Sequence, residues 1–129
     1  MFAPAAFAAI YFGFPWFDAL IALVTALMLW EWARMCGAGT FGLSGWLMEA
    51  AVFAAIALLY GGHPVPAVGL LAAAAAGFGV AGLAGYRENA LYFASGVLLV
   101  GAFGIAFLWL RAYPDDGRDL VIWLVLAVW

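Results

Sequence analysis

Long uninterrupted apolar runs constrain the fold of this chain more than any motif does. Residues 67–85 and 91–110 contain no charged side chain at all. A helix needs about 20 apolar residues to cross about 30 Å of hydrocarbon, so runs of this length are typical of membrane spans. With 71% hydrophobic and 9% charged residues, the composition also lies far from that of soluble domains. The sequence predicts an all-α, polytopic transmembrane helical protein.

Polar, Gly-rich and Pro-rich junctions divide the apolar sequence into six segments within a single membrane-embedded region, residues 1–129. The junctions are two Gly/Pro turns, a Gly-rich loop at residues 37–45 and two charged stretches. We expect about five spans and a truncated sixth, near residues 2–14, 16–35, 46–60, 67–85, 91–110 and 120–129. The first of these is a short span.

The last apolar segment starts like a membrane helix but reaches only about half the length of a span. Every residue from Leu120 to Trp129 is apolar. A natural C-terminus would rarely lie inside the bilayer, because the terminal carboxylate and the last helix carbonyls would lack partners there. We therefore expect the chain to be the N-terminal part of a longer protein.

The charged side chains lie within about one turn of the predicted span ends. Arg34 and Arg87 fall on one side and Arg111 and Arg118 on the other, so the positive-inside comparison is tied. We favour the orientation in which Arg34 and Arg87 face the cytoplasm. The net charge is −3 and the sequence has no Lys, which predicts no basic surface for nucleic acid.

Few residues are candidates for chemistry. Intramembrane ionisable groups are functional candidates by default, because a central charge costs about 2.5–3.5 kcal/mol on the insertion scale. Glu49 is the deepest carboxylate, and it either lies at the interface or lines a polar cavity. Glu31 and Arg34 are three residues apart, which predicts an interfacial ion pair. His63 and the single cysteine, Cys36, do not form a metal-ligand pattern. We assign no catalytic, cofactor-binding or metal-binding residue.

Small residues recur every four positions in the fourth segment, at Gly69, Ala73, Gly77, Ala81 and Gly85. In lipid, such a smooth stripe permits close contact between helix backbones. It therefore predicts close packing of this face against a neighbouring helix. The alternative is an Ala/Gly-rich composition without a packing role.

Two stretches have a specific pattern of residues in addition to being apolar. The first is AIYFGFPWF at residues 9–17, followed by EWAR at residues 31–34. The second is LWLR at residues 108–111, an Asp/Gly-rich connector, Gly-Arg at residues 117–118 and an apolar run that ends in LAVW. Together they resemble the N-terminal membrane part of the phosphatidate cytidylyltransferases, also called CDP-diacylglycerol synthases. In that family the final Trp of the second stretch is followed closely by an Asp and a Gly-Ala-Tyr.

The resemblance implies a multi-pass enzyme of the bacterial inner membrane. Such an enzyme transfers the cytidylyl group of CTP to phosphatidic acid, giving CDP-diacylglycerol and pyrophosphate in phospholipid biosynthesis. It also implies Mg²⁺ bridging the phosphates, held by carboxylates that in this family lie in later spans. No catalytic residue carries over to this sequence, so we expect the chain alone to be inactive. The family's N-terminal region begins upstream with a basic segment, which suggests that Met1 is a late start.

Two other functions are open at this stage, and in either case a homo-oligomer is possible. One is a small polytopic transporter subunit, although transporters usually have polar or interrupted spans near the midplane and these spans lack them. The other is a structural membrane protein that acts only by assembly with partners. The codons that follow Trp129 separate these functions from the lipid enzyme.

Overall fold

The computed structural model describes residues 3–37, 39–84 and 89–128, and every regular element in these ranges is an α-helix. This confirms the predicted all-α fold class. The helices are α1 (Ala3–Phe12), α2 (Trp16–Cys36), α3 (Gly42–Tyr60), α4 (Pro64–Leu83), α5 (Ala90–Arg111) and α6 (Gly117–Val128). Residue 85, where the predicted fourth segment ends, and Arg87 lie outside the described residues.

Four of the helices, α2 to α5, are long and apolar enough to cross a membrane. They contain 21, 19, 20 and 22 residues, which corresponds to roughly 28–33 Å at about 1.5 Å per residue. The protein is therefore a multi-pass membrane protein. Helix α1 has 10 residues, about 15 Å, so the first predicted segment forms a helix that is shorter than a span.

Local sequence explains where these helices begin. Pro64 opens α4, a position where its missing N–H costs nothing. Asp18 lies in the first turn of α2 and Arg34 in its last, as the helix dipole favours. The expected Gly-rich loop at residues 37–45 is shorter than predicted, because α3 already begins at Gly42. The physical reason is packing: the Phe41 ring lies against Gly45, where an added Cβ would be 2.8 Å from the ring.

Helix α5 is the centre of the bundle and contacts α2, α3, α4 and α6. Three of its glycines allow this close approach. An ideal Cβ on Gly96 would lie 2.5 Å from Trp32 Cδ1, one on Gly101 would lie 2.8 Å from Leu71 Cδ2, and one on Gly104 would lie 3.0 Å from Thr25 Oγ1. The stripe of small residues that joins helices within this chain is therefore on α5.

The predicted packing of the α4 stripe is wrong within the chain. Gly69, Ala73 and Gly77 are exposed, and no atom lies within 4 Å of a Cβ built on Gly69 or Gly77. Helix α4 instead packs through the face that carries Ala67, Leu71 and Ala75. Leu71 on that face packs against Gly101 of α5, whereas Gly69, Ala73 and Gly77 face away from the bundle.

The long helices alternate in direction, because short turns connect them and successive helices pack together. The bundle thus has two ends. The Arg34 end contains the last turns of α2 and α4 and the first turns of α3 and α5. The Arg111 end contains the opposite termini, the end of α1 and the start of α6. Arg34 and Arg111 lie at opposite ends, as predicted, and the orientation of the bundle in the membrane stays a prediction.

Candidate functional site

The interior of the bundle is apolar. Among the described side chains, the buried polar ones are Thr25 and Ser44. Thr25 Oγ1, between α2 and α5, has no hydrogen-bond partner among the described residues. Because no described charged side chain lies in the core, the groups available for chemistry are at the two ends.

Arg34 has different partners from the one that the sequence predicts. Its guanidinium lies 4.7 Å from the centre of the Trp30 ring, and its Nε donates a hydrogen bond of 3.3 Å to the Gly39 carbonyl. Among the described residues, the ion pair within 4 Å is that of Arg118 with Asp119, so the expected pair of Glu31 with Arg34 is wrong. A cation over an indole face is stabilised by the ring, so the Trp30 ring replaces the Glu31 carboxylate as the partner of Arg34. The hydrogen bond to the Gly39 carbonyl holds Arg34 over the loop that follows α2.

Two side chain-to-backbone hydrogen bonds tie α2 to α5 at the Arg34 end. The Trp32 indole N–H donates to the Tyr92 carbonyl at 2.8 Å, and Asn89 Nδ2 donates to the Cys36 carbonyl at 2.7 Å. These residues and Met35 line a cavity of about 290 Å³. The polar groups around the cavity form the hydrogen bonds that join α2 to α5, so the cavity has a structural role.

Glu49 does not line this cavity. It lies half-buried on α3, seven residues from the start of that helix. Within residues 3–37, 39–84 and 89–128, no group of three or more His, Cys, Asp or Glu side chains could hold a metal ion. The Mg²⁺ implied by the resemblance therefore has no such ligand group among these residues.

The Arg111 end brings together residues that are far apart in sequence. The Arg111 guanidinium lies against the turn between α1 and α2, where a Cβ on Gly13 would be 2.6 Å from Nη2. Gly13 has a φ of 70°, which glycine adopts without strain. The Nε atom of Arg111 is buried and has no hydrogen-bond partner among the described residues. A buried Nε is not accessible to a ligand, so Arg111 holds the end of α5 against the turn between α1 and α2.

Arg118 completes this end of the bundle. Its guanidinium lies 5.8 Å from the centre of the Tyr11 ring on α1, and its Nε is 3.2 Å from the Asp119 carboxylate. Arg111 and Arg118 thus flank the last turn of α1. No local sequence pattern predicts that α1 lies beside α6, because the four long helices separate the two in the sequence.

An apolar groove runs between α1 and α2 from the same turn. Its volume is about 640 Å³, and its lining residues are Ala8, Ala9, Phe12, Trp16, Ala19, Leu20 and Leu23. Phe12 and Trp16 are at its mouth, on either side of the turn that contains Gly13, and both are largely exposed. Leu23 is seven residues further along α2, about 10 Å. The groove therefore extends from the interface into the level of the hydrocarbon.

The remaining carboxylates at this end have separate roles. Asp18 of α2 lies close to Tyr60, the last residue of α3. Asp115 and Asp116 are exposed in the connector between α5 and α6. Asp119 pairs with Arg118, whereas Arg111, like Arg34 at the other end, has no carboxylate within 4 Å among the described residues.

Comparison of the chain with protein-family models, with curated proteins and with solved structures found no match. The resemblance to the phosphatidate cytidylyltransferases therefore stays a prediction. The structure is a multi-pass bundle with an apolar interior, hydrogen bonds that tie α2 to α5 at the Arg34 end, and an apolar groove between α1 and α2.

Proposed function

We propose that the chain is the N-terminal membrane part of a phosphatidate cytidylyltransferase of the bacterial inner membrane. The full enzyme would transfer the cytidylyl group of CTP to phosphatidic acid, releasing pyrophosphate. In this part of the enzyme the helices form a support in the bilayer, and the reacting groups lie in later spans.

The observation that carries the proposal is the contact between the two stretches on which the resemblance rests. Arg111, from the second stretch, packs on Gly13 of the first, and Arg118 lies over Tyr11. Two stretches about 100 residues apart in sequence thus form one interface at the Arg111 end. This contact supports the proposal that the two stretches form one structural unit, because a change in one stretch would alter its packing against the other. The apolar interior supports the role of a scaffold.

The proposal is tested by enzyme assay of two purified proteins. One is the 129-residue chain, and the other is the product of the whole reading frame that contains it. Each is incubated in mixed micelles with radiolabelled CTP, phosphatidic acid and Mg²⁺, and lipid-soluble radioactivity is measured. We expect CDP-diacylglycerol only from the whole product. Activity of the 129-residue chain would refute its supporting role, and no activity of a folded whole product would refute the family assignment.

A structural membrane protein is the second candidate, and one observation favours it. The small-residue face of α4 is exposed at Gly69, Ala73 and Gly77 and half-buried at Ala81. A partner helix could approach such a face closely. A stop codon directly after Trp129 would favour this function, whereas codons for an Asp and a Gly-Ala-Tyr shortly downstream would favour the lipid enzyme.

A further inference from the structure

We propose that a pocket at the Arg34 end binds a phospholipid headgroup that carries both a phosphate and a primary ammonium, as in phosphatidylethanolamine. The phosphate contacts the Arg34 guanidinium, and the ammonium contacts the Glu31 carboxylate. The bound lipid does not react, and the inference stands independently of the proposed enzyme activity.

Two opposite charges line one open pocket at the end of α2. The pocket has a volume of about 370 Å³, and its lining residues are Trp30, Glu31, Arg34, Met35 and Gly39. The side chains of Glu31 and Arg34 are both exposed, so a ligand in the pocket can reach them. The pocket therefore offers a positive and a negative group to the same ligand.

The structure keeps these two charges from pairing with each other. Their spacing of three residues allows an ion pair, but they form none within 4 Å. Instead the guanidinium lies over the Trp30 ring, and its Nε donates to the Gly39 carbonyl. Within the part of the chain that the structure describes, the two Nη groups of Arg34 make no hydrogen bond. An arginine held in this way can bind a phosphate oxygen with little loss of side-chain freedom.

The two separated charges select a zwitterion. A ligand with a phosphate alone would also meet the Glu31 carboxylate, and a ligand with a cation alone would also meet Arg34, so each would face a like charge. A headgroup that carries both groups pairs each charge with its opposite. A primary ammonium donates hydrogen bonds to a carboxylate, whereas the trimethylammonium group of phosphatidylcholine has no N–H to donate.

The position of the pocket indicates that the zwitterion belongs to a lipid. Glu31 and Arg34 lie in the last two turns of α2, a helix long enough to cross a membrane. The exposed Trp30 beside them marks the headgroup level, where indole rings are enriched. Leu23 and Leu27 are exposed on the preceding turns of the same face. An acyl chain can therefore lie along α2 below a headgroup bound in the pocket.

The test is competitive lipid retention, measured by native mass spectrometry of the full chain released from mixed micelles. Phosphatidylethanolamine is mixed in equal amount with phosphatidylcholine, or with phosphatidylglycerol, which has the phosphate without a cation. All three lipids have the same acyl chains. We expect a preference of about two- to fivefold for phosphatidylethanolamine over each competitor, the size expected for exposed ion pairs. Equal retention of the three lipids would overturn the proposal, because the two charges would then be hydrated and would not select a lipid.

Neutral variants separate the contributions of the two charges. Glu31→Gln should abolish the preference over phosphatidylglycerol, whereas Arg34→Gln should lower the retention of both lipids. The matched control is Arg118→Gln at the other end, an exposed arginine that pairs with Asp119, and it should keep the preference. Circular dichroism shows that each variant is folded. Persistence of the preference in Glu31→Gln, or its loss in Arg118→Gln, would contradict the proposal.

A soluble competitor distinguishes a lipid from a free zwitterion. Glycerophosphoethanolamine has the same phosphate and ammonium without acyl chains. At the concentration of the lipid it should not displace phosphatidylethanolamine, because it lacks the hydrocarbon that lies along α2. Displacement would show that the pocket takes a soluble zwitterion and would overturn its assignment to a lipid.

Discussion

Replacement of Gly96 by alanine tests the packing at the centre of the bundle. The new methyl carbon would lie 2.5 Å from Cδ1 and 2.6 Å from Nε1 of Trp32, and 3.1 Å from the sulfur of Met48. Carbon atoms in contact are normally about 3.5–4.0 Å apart. The indole is part of a large rigid side chain, so it must move by about 1 Å. That movement stretches its hydrogen bond to the Tyr92 carbonyl, now 2.8 Å long.

The size of the effect follows from three contributions. Overpacking of this kind costs about 1–3 kcal/mol, and the weakened hydrogen bond between membrane helices adds about 0.6 kcal/mol. The better helix propensity of alanine offsets up to about 1 kcal/mol. We therefore expect Gly96→Ala to lower the free energy of unfolding by about 1–3 kcal/mol.

The assay is reversible unfolding in mixed micelles by increasing SDS, followed by circular dichroism. Gly77→Ala is the matched control, because it makes the same change on α4 where no atom lies within 4 Å of the new carbon. This control should unfold at the wild-type midpoint or slightly above it. If Gly96→Ala is as stable as Gly77→Ala, the described contact between Trp32 and α5 is wrong.

Three further predictions have defined outcomes. Thr25→Val removes a buried hydroxyl without a described partner, so the free energy of unfolding should stay constant or rise by up to about 1 kcal/mol; a loss above that size in SDS unfolding would show that the hydroxyl is bonded. Asn89→Ala removes the hydrogen bond to the Cys36 carbonyl, so it should lower the free energy of unfolding by about 1 kcal/mol. Ser95→Ala removes a hydrogen bond within α5 and should leave the free energy of unfolding unchanged. Cys36 is 9% exposed and Met35 is 72% exposed, so a maleimide should modify Cys36 at least about tenfold more slowly than Met35→Cys in a Cys36→Ala chain; equal rates would place the thiol on the surface.

The sequence predicted the four long helices, but it also counted the 10-residue α1 as a span and did not indicate the faces through which the helices pack. Apolar runs located α2, α4 and α5 to within a few residues, because the length of hydrocarbon to be crossed sets the length of a span. The packed face of α4 could not be located in this way. Lipid and the protein interior are equally apolar, so hydropathy does not indicate which side of a helix meets a neighbour.

The candidate site was missed for a related reason. The position of Arg111 depends on the packing of the end of α5 against the turn between α1 and α2, a contact between distant parts of the sequence. Nothing in the local sequence of either part encodes it. The partner of Arg34 could not be predicted from the sequence either. A spacing of three residues allows an ion pair with Glu31, but it does not exclude contacts with the Trp30 ring and the Gly39 carbonyl, which the structure shows.

We expect helices α2 to α5 each to cross the membrane, which places the Arg34 and Arg111 ends on opposite sides. Labelling of single cysteines with a membrane-impermeant maleimide, in sealed vesicles of known orientation, tests it most directly. In a Cys36→Ala chain, Thr40→Cys should be labelled from the cytoplasmic side, and His63→Cys and Asp116→Cys from the other side. Labelling of His63→Cys from the same side as Thr40→Cys would contradict the claim, because α3 would then not cross the membrane.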